Sequence, residues 1–275
     1  NNMDRYVRWQ VNDYLGLDQE QRAYFKQQLA ELIAWHRTNH LPLYSDYIRG
    51  LVVQYADGVS EAQIEEAVEQ FLVWGLEVED RGMPVAITLL RSLSDEQVAQ
   101  LPAKLEESNL ELAEDELDMA LEDAQLNWAQ NVEDVISRFT GRLDRRQKAY
   151  LKFRSTGYQP EFGLWAEYRR RWQADLLKLL EHRHEDRFEA DFRALAKARE
   201  SYYGPEYTAV NNANIALSRE AASYLLSNLS ERQTRRFSES LEELADDLTE
   251  LAAQGGNAAD LDADSAVTLD RQDRG

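Results

Sequence analysis

The chain has 275 residues, with 31 Lys plus Arg against 51 Asp plus Glu, a formal net charge of −20 and no cysteine. Phosphate binding needs a basic footprint that releases counterions, so this balance excludes a nucleic-acid partner, and the absence of cysteine excludes disulfides, thiolate metal sites and cysteine nucleophiles. No apolar run approaches the ~20 residues of a membrane span, and few Gly and Pro among abundant Ala, Leu, Glu, Gln and Arg favour helix over strand.

A short first helix is predicted over residues 3–15, stopped at Gly16. A recurrent phrase then begins: an apolar residue, Ser or Asp, three polar or small residues, the last of them Gln. It occurs at Leu17-Asp18 with Gln21, Val59-Ser60 with Gln63, Leu93-Ser94 with Gln97, Leu143-Asp144 with Gln147, and Leu229-Ser230 with Gln233. This is the capping-box pattern, in which the cap oxygen accepts from the backbone N–H three residues on and the Gln reaches back to the cap's own N–H. The expected N-caps are therefore Asp18, Ser60, Ser94, Asp144 and Ser230, with Gln21, Gln63, Gln97, Gln147 and Gln233 as their partners.

From Asp18 a helix carries Phe25, Leu29, Leu32, Ile33 and His36 on one face and ends near Asn39. Pro42 opens a third helix, which runs to Asp57-Gly58. Ser60 starts a fourth, with Ile64, Ala67, Val68, Phe71 and Leu72 as its expected core stripe, interrupted at Gly82 and Pro84. The stretch from Ser94 to Phe139 is expected as one long helix or two, kinked near Pro102 or around residue 115. Asp144 starts a helix that breaks at Thr156-Gly157, and Pro160 opens a long one with Trp165, Trp172, Leu176 and Leu179 on one seam. A further helix carries Phe188, Phe192 and Leu195. Gly204-Pro205 turns the chain into another helix, and Ser230 starts the last, with Phe237, Leu241, Leu244, Leu248 and Leu251 at heptad spacing.

The expected fold is all-α: a multi-helix bundle or irregular helical array of about eight to eleven helices with no sheet. Residues 1–254 form the helical domain, as one body or as two halves, 1–140 and 141–254. Residues 255–275 are expected to be a disordered acidic tail, since their composition shifts to Asn, Ala, Asp and Ser without periodicity. The irregular spacing of the caps does not fit a regular solenoid, although residues 17–100 loosely echo 143–240.

Charge is unevenly spread. From Glu106 to Asp134 there are eleven acidic residues and no Lys or Arg, whereas from Arg138 to Arg199 there are sixteen basic residues against nine acidic. Carboxylates at i, i+4 repel unless cations approach, so the two segments are expected to meet through an apolar seam of Leu110, Leu117, Leu121 and Trp128 against Trp165, Trp172, Leu176 and Leu179.

Candidate chemistry is sparse. His36 and His40 have the i, i+4 spacing of two metal ligands on one helix face, but no Glu occupies the zincin position and a helix C-terminus attracts His by its dipole alone. Glu181 and His184 form a single Glu-x-x-His, an element that di-iron bundles use twice. Neither pair predicts a metal site. No Gly-rich phosphate loop, nucleophile elbow or Ser-His-Asp arrangement is present, so the expectation is no enzyme, with no catalytic residues and no cofactor.

The opening Asn1-Asn2, Trp9, Asp13-Tyr14-Leu15, Leu17-Asp18 and Gln21 resembles the start of a family of proteobacterial helical lipoproteins whose function is unknown. Ala34-Trp35-His36-Arg37 with Leu41-Pro42, Leu93 to Gln97, Leu164-Trp165-Ala166-Glu167 with Arg169-Arg170-Arg171, and Leu229 to Gln233 carry the similarity as far as about residue 254. The resemblance implies a removed signal peptide and a lipidated cysteine upstream of Asn1, and hence a periplasm-facing lipoprotein anchored in the envelope of a Gram-negative bacterium. More distantly, the boxes resemble the Leu-Thr-x-x-Gln motif of Spy-like periplasmic chaperones, from which this longer, acidic chain departs in using Ser or Asp for Thr. Two functions are expected from these readings. One is a non-catalytic envelope lipoprotein acting by protein–protein contacts on other envelope proteins or unfolded clients, chaperone-like or stress-related. The other is a module binding a small or amphipathic envelope ligand between helices.

Overall fold

The computed structural model describes the backbone of residues 2–114 and 119–272 and the side chains of residues 4–114 and 119–254. Among these the fold is all-α, without a strand. The order is α1 (Asn2–Leu15), α2 (Gln19–Asn39), α3 (Leu41–Gln54), α4 (Glu61–Ser92), α5 (Asp95–Glu114), α6 (Leu121–Thr140), α7 (Arg145–Arg154), α8 (Phe162–Glu181), α9 (Phe188–Lys197), α10 (Pro205–Ser227) and α11 (Glu231–Gln272), with short 3₁₀ turns after α7 and α9. The tail expected over 255–275 lies outside the residues whose side chains are described.

Two prolines at which an interruption or kink is expected do not end their helices. α4 runs unbroken through Gly82 and Pro84, and α5 through Pro102. An internal proline forfeits one backbone hydrogen bond, a loss of about 3 kcal/mol in an isolated helix. Here burial of Met83, Ile87 and Leu89 around Pro84, and of Leu101 beside Pro102, holds each helix in place. Of the two places expected for a division of the acidic stretch, the one around residue 115 is where α5 ends, at Glu114, with α6 beginning at Leu121.

All five phrases cap helices, and four of them pair. Asp18 Oδ1 accepts from the Gln21 N–H at 2.8 Å, and the Asp18 N–H donates to Gln21 Oε1 at 2.9 Å. Ser94 and Gln97 do the same at 3.2 and 2.8 Å. Each Gln then uses its free amide N–H groups on the other junction. Gln21 Nε2 donates to the Ser92 carbonyl that ends α4, while Gln97 Nε2 donates to the Leu15 and Gly16 carbonyls that end α1. The α6–α7 and α10–α11 junctions repeat the arrangement, with Gln147 Nε2 donating to the Asn228 carbonyl and Gln233 Nε2 to that of Arg142. In both locks the first helix ends on a glycine at positive φ, Gly16 at 55° and Gly141 at 75°, where a side chain would be strained. The apolar residues before the caps, Leu17, Leu93 and Leu143, are buried beneath the locks. The fifth box, Ser60-Gln63, has no counterpart; Gln63 Nε2 reaches only the Gln54 carbonyl, at 3.4 Å.

Beneath the first lock lie Leu17, Leu89 and Leu93, continuous through half-buried Leu15, Leu90 and Val98 with a core of Met83, Ile87, Leu101, Leu180, Phe188 and Phe192 from α4, α5, α8 and α9. Beneath the second, Trp128, Ile136, Leu143, Leu151, Leu217, Ala221 and Leu225 join α6, α7 and α10. α11 lies along α3, with Phe237, Leu241 and Ala245 on Ile48.

Among the described residues two ion pairs join the acidic and basic segments, Glu106 with Arg170 at 3.5 Å and Glu133 with Lys148. The expected seam is corrected on the acidic side. Leu110 and Leu121 are exposed, Leu117 lies outside the described residues, and only Trp128 is buried. α5 instead turns Leu101, Leu105 and Asn109 inward, at i, i+4, i+8, a row on one helix face. The α4 stripe is corrected too: Val68, Phe71 and Leu72 are exposed, and Trp74 is the buried residue of that half.

Candidate functional site

α8 is the helix around which a site forms. Its N-terminal half presents Trp165, Tyr168, Arg169 and Trp172 toward Glu79, Gly82, Met83 and Ala86 of α4 and toward Phe192, Ala196 and Arg199 of α9 and the turn after it, enclosing an open cleft of about 510 Å³. Spacing at i, i+3, i+4, i+7 places the four α8 side chains on one face. The walls are mainly aromatic and aliphatic. Trp172 is fixed by its indole N–H, which donates to the Leu195 carbonyl at 3.2 Å, and Arg199 by its Nε to the Ala196 carbonyl and by an ion pair with Glu79.

Arg169 sits between two clefts. Its guanidinium lies 5.1 Å from the Trp165 ring centre, a cation–π arrangement. Nε donates to Asn109 Oδ1 at 2.8 Å and Nη2 to Ser108 Oγ at 3.4 Å. Asn109 is buried and exchanges amide hydrogen bonds with buried Gln173 at 2.8 and 3.3 Å, so the Arg169 rotamer rests on a satisfied polar pair. On the far side of Trp165 and Arg169 a second cleft of about 660 Å³ is lined by Trp9, Asp13, Tyr14, Lys104, Glu107 and Glu111, among others. There Lys104 is held above the usual lysine range by its hydrogen bond to Glu107 and the nearby carboxylates. Behind Tyr168, Tyr203 and Tyr207 pack ring to ring at 4.6 and 5.3 Å. Burial, with Glu161 nearby, pushes the Tyr207 hydroxyl up to about 12.

The histidines meet but are engaged elsewhere. The His36 and His40 rings stack at 5.4 Å between centroids. His36 Nε2 is 3.2 Å from the Tyr44 hydroxyl and His40 Nε2 is 3.1 Å from Glu77 Oε2. Burial and then the neighbouring His40 lower the His36 pKa, so it stays neutral at pH 7. Trp35, Tyr44, Tyr47, Phe71 and Trp74 surround the pair as one aromatic cluster. Glu181, which ends α8, and His184 are both exposed. Among the described residues no group of three His, Cys, Asp or Glu converges, and no helix is long and apolar enough to cross a membrane.

The structure keeps Gln21 with Gln97 and Gln147 with Gln233 as structural locks, none of them lining the cleft. The sequence reading placed Trp165 and Trp172 in a packing seam; both are half-buried cleft walls. Arg169, Met83 and Phe192 gave a visible signal only in part: Arg169 stands four residues from Trp165, a spacing that brings a guanidinium over an indole.

Fold and site together define an all-α protein with two capping locks and an open aromatic cleft. The chain belongs to a family of unknown function, DUF6279, which matches residues 13–208 and so covers α2 to α9 with the whole lining of the first cleft. No curated protein and no solved structure matches it.

Proposed function

We propose that this is a non-catalytic, envelope-associated helical lipoprotein that works through protein–protein contacts, holding exposed apolar segments of other proteins in chaperone-like fashion. The observation that carries this reading is the shape of the α4–α8–α9 cleft. Trp165, Tyr168, Trp172 and Met83 form its walls, and the space is open along one side rather than enclosed. An enclosed apolar cavity suits a small ligand; an open aromatic surface accepts varied chain segments through large, rigid contact areas with little sequence preference. Placement in the envelope is supported by the resemblance of the opening Asn1-Asn2 to Gln21 stretch to lipoprotein sequences.

The test is suppression of aggregation of a thermally unfolding enzyme by the full chain. Trp165→Ala opens the cleft wall and Ala86→Phe fills the cleft from the opposite side, and both variants should keep the wild-type melting curve while losing most of the protection. No suppression by the wild type, or full suppression by both variants, overturns the reading. Arg169 favours a second one: its hydrogen bonds go to neutral Asn109 and Ser108, which leaves its charge to attract the anionic head of an amphipathic ligand. Quenching of Trp165 and Trp172 by a long-chain fatty acid, abolished in Arg169→Gln, would select that alternative.

A further inference from the structure

We infer that the outward face of the first half of α4 docks a cationic amphipathic helix of a protein partner. This surface is distinct from the cleft, and the inference does not rest on the proposed client binding there. Val68, Leu72 and Leu76 stand at i, i+4, i+8 and are 52%, 62% and 60% exposed, with Val73 beside them at 50%. Single exposed aliphatics need no explanation, but a contiguous row on one helix marks an interaction surface.

The acidic residues around this row decide what would cover it. Between Arg49 and Arg81 the chain has eight acidic residues and no Lys, Arg or His. Glu65 pairs with Arg219, Glu77 with His40, Glu79 with Arg199 and Asp80 with Lys197. None of the ion pairs among the described residues involves Glu61, Glu66 or Glu69. Glu61, Glu65 and Glu69 share the i, i+4 spacing and lie alongside the aliphatic row, so leucines and carboxylates alternate across the face. A helix with a leucine row flanked by lysines is complementary to both. A second copy of this chain would bring the same carboxylates against these, and an anionic lipid surface would be repelled.

The face is held rigid from behind. Phe71 and Trp74 pack on Tyr44 and Tyr47 of α3, with ring centres 4.9 to 5.9 Å apart. Docking on such a face needs little reordering, which keeps the entropic cost low, and recognition follows the helix-in-groove mode with anchors at i, i+4.

The experiment measures fluorescence anisotropy of a labelled Leu/Lys amphipathic peptide of about four turns titrated with the full chain, beside the same peptide with Glu for Lys. Leu72→Asn with Leu76→Asn, and separately Glu61→Lys with Glu69→Lys, should each weaken binding about tenfold. Glu122→Lys with Asp123→Lys, an equal charge change on α6, should leave it within about twofold, and the Glu peptide should not bind. All the substituted side chains are exposed, so folding is retained and is checked by the melting curve. Equal weakening by the α6 variant shows generic attraction to an acidic protein and overturns the inference. So does binding of the Glu peptide, or a concentration-dependent dimer that Leu72→Asn abolishes.

Discussion

Gln21 and Gln97 lie 76 residues apart and exchange their side-chain amides: Gln97 Nε2 donates to Gln21 Oε1 at 2.7 Å, and Gln21 Nε2 is 3.1 Å from Gln97 Oε1. Each Oε1 also accepts from its own N-cap backbone, and each Nε2 also satisfies a carbonyl at the end of the helix that precedes its partner. One side chain thus serves two helix starts and one helix end. Gln147 and Gln233 repeat the exchange at 3.4 and 3.0 Å, which makes the junctions the fixed points of the fold.

The locks predict unequal consequences for the same substitution. Gln147 and Gln233 are buried, and truncating either to Ala strands a carbonyl and a cap N–H, a loss of about 1–3 kcal/mol. Gln63→Ala should lose no more than about 1 kcal/mol, in the range of an ordinary exposed cap. In a double-mutant cycle by urea unfolding, Gln147→Ala and Gln233→Ala should be strongly non-additive because each removes the other's partner. Additive losses equal to that of Gln63→Ala would show five independent caps.

Arg183 closes the first lock from below. It is buried, donating Nε to the Leu93 carbonyl at 2.9 Å and Nη1 to the Leu180 carbonyl at 3.0 Å, while Nη2 reaches exposed Asp95. That hydrogen bond, followed by the guanidinium charge, holds Asp95 below the usual carboxylate range. Arg183→Met should destabilise by about 1.5–3 kcal/mol, whereas Asp95→Asn should leave the unfolding midpoint almost unchanged because its carboxylate is in water. Equal effects of the two would place the stabilisation in the ion pair instead.

His36 sets a pH dependence near neutrality. Its folded pKa lies below the ordinary histidine value of about 6.5, chiefly through burial, so the unfolded chain binds the proton more tightly. Stability is complete above about pH 6.5 and declines as pH falls from there toward the depressed folded pKa. The groups facing it are His40, Tyr44 and, through His40, Glu77. Unfolding midpoints between about pH 5 and 7 should rise with pH, and His36→Gln should flatten that rise. A slope unchanged by the substitution would assign it to another group.

Local signals in this chain were legible, and pairings across it were not. Asp18, Ser60, Ser94, Asp144 and Ser230 act within one helical turn, so their spacing alone specifies the caps. Nothing in that spacing says that Gln21 meets Gln97, since the meeting depends on how α1 and α4 end beside each other. Pro84 misled because helix propensity is local, whereas burial of Met83 and Ile87 is tertiary. Val68, Phe71 and Leu72 have the period of a core stripe, and periodicity reports a face without saying what covers it. The cleft was hidden for a similar reason: Trp165 and Trp172 share a seam in sequence, but only the placement of α4 and α9 leaves that seam open.

The central claim, that the α4–α8–α9 cleft receives apolar chain segments, is tested most directly by hydrogen–deuterium exchange of the full chain with and without a permanently unfolded client protein. The account predicts that the client slows exchange in peptides covering residues 162–173 of α8 and 188–197 of α9, with the capping locks at Gln21–Gln97 and Gln147–Gln233 unchanged. Client-dependent protection elsewhere, with these α8 and α9 peptides unaffected, would contradict it.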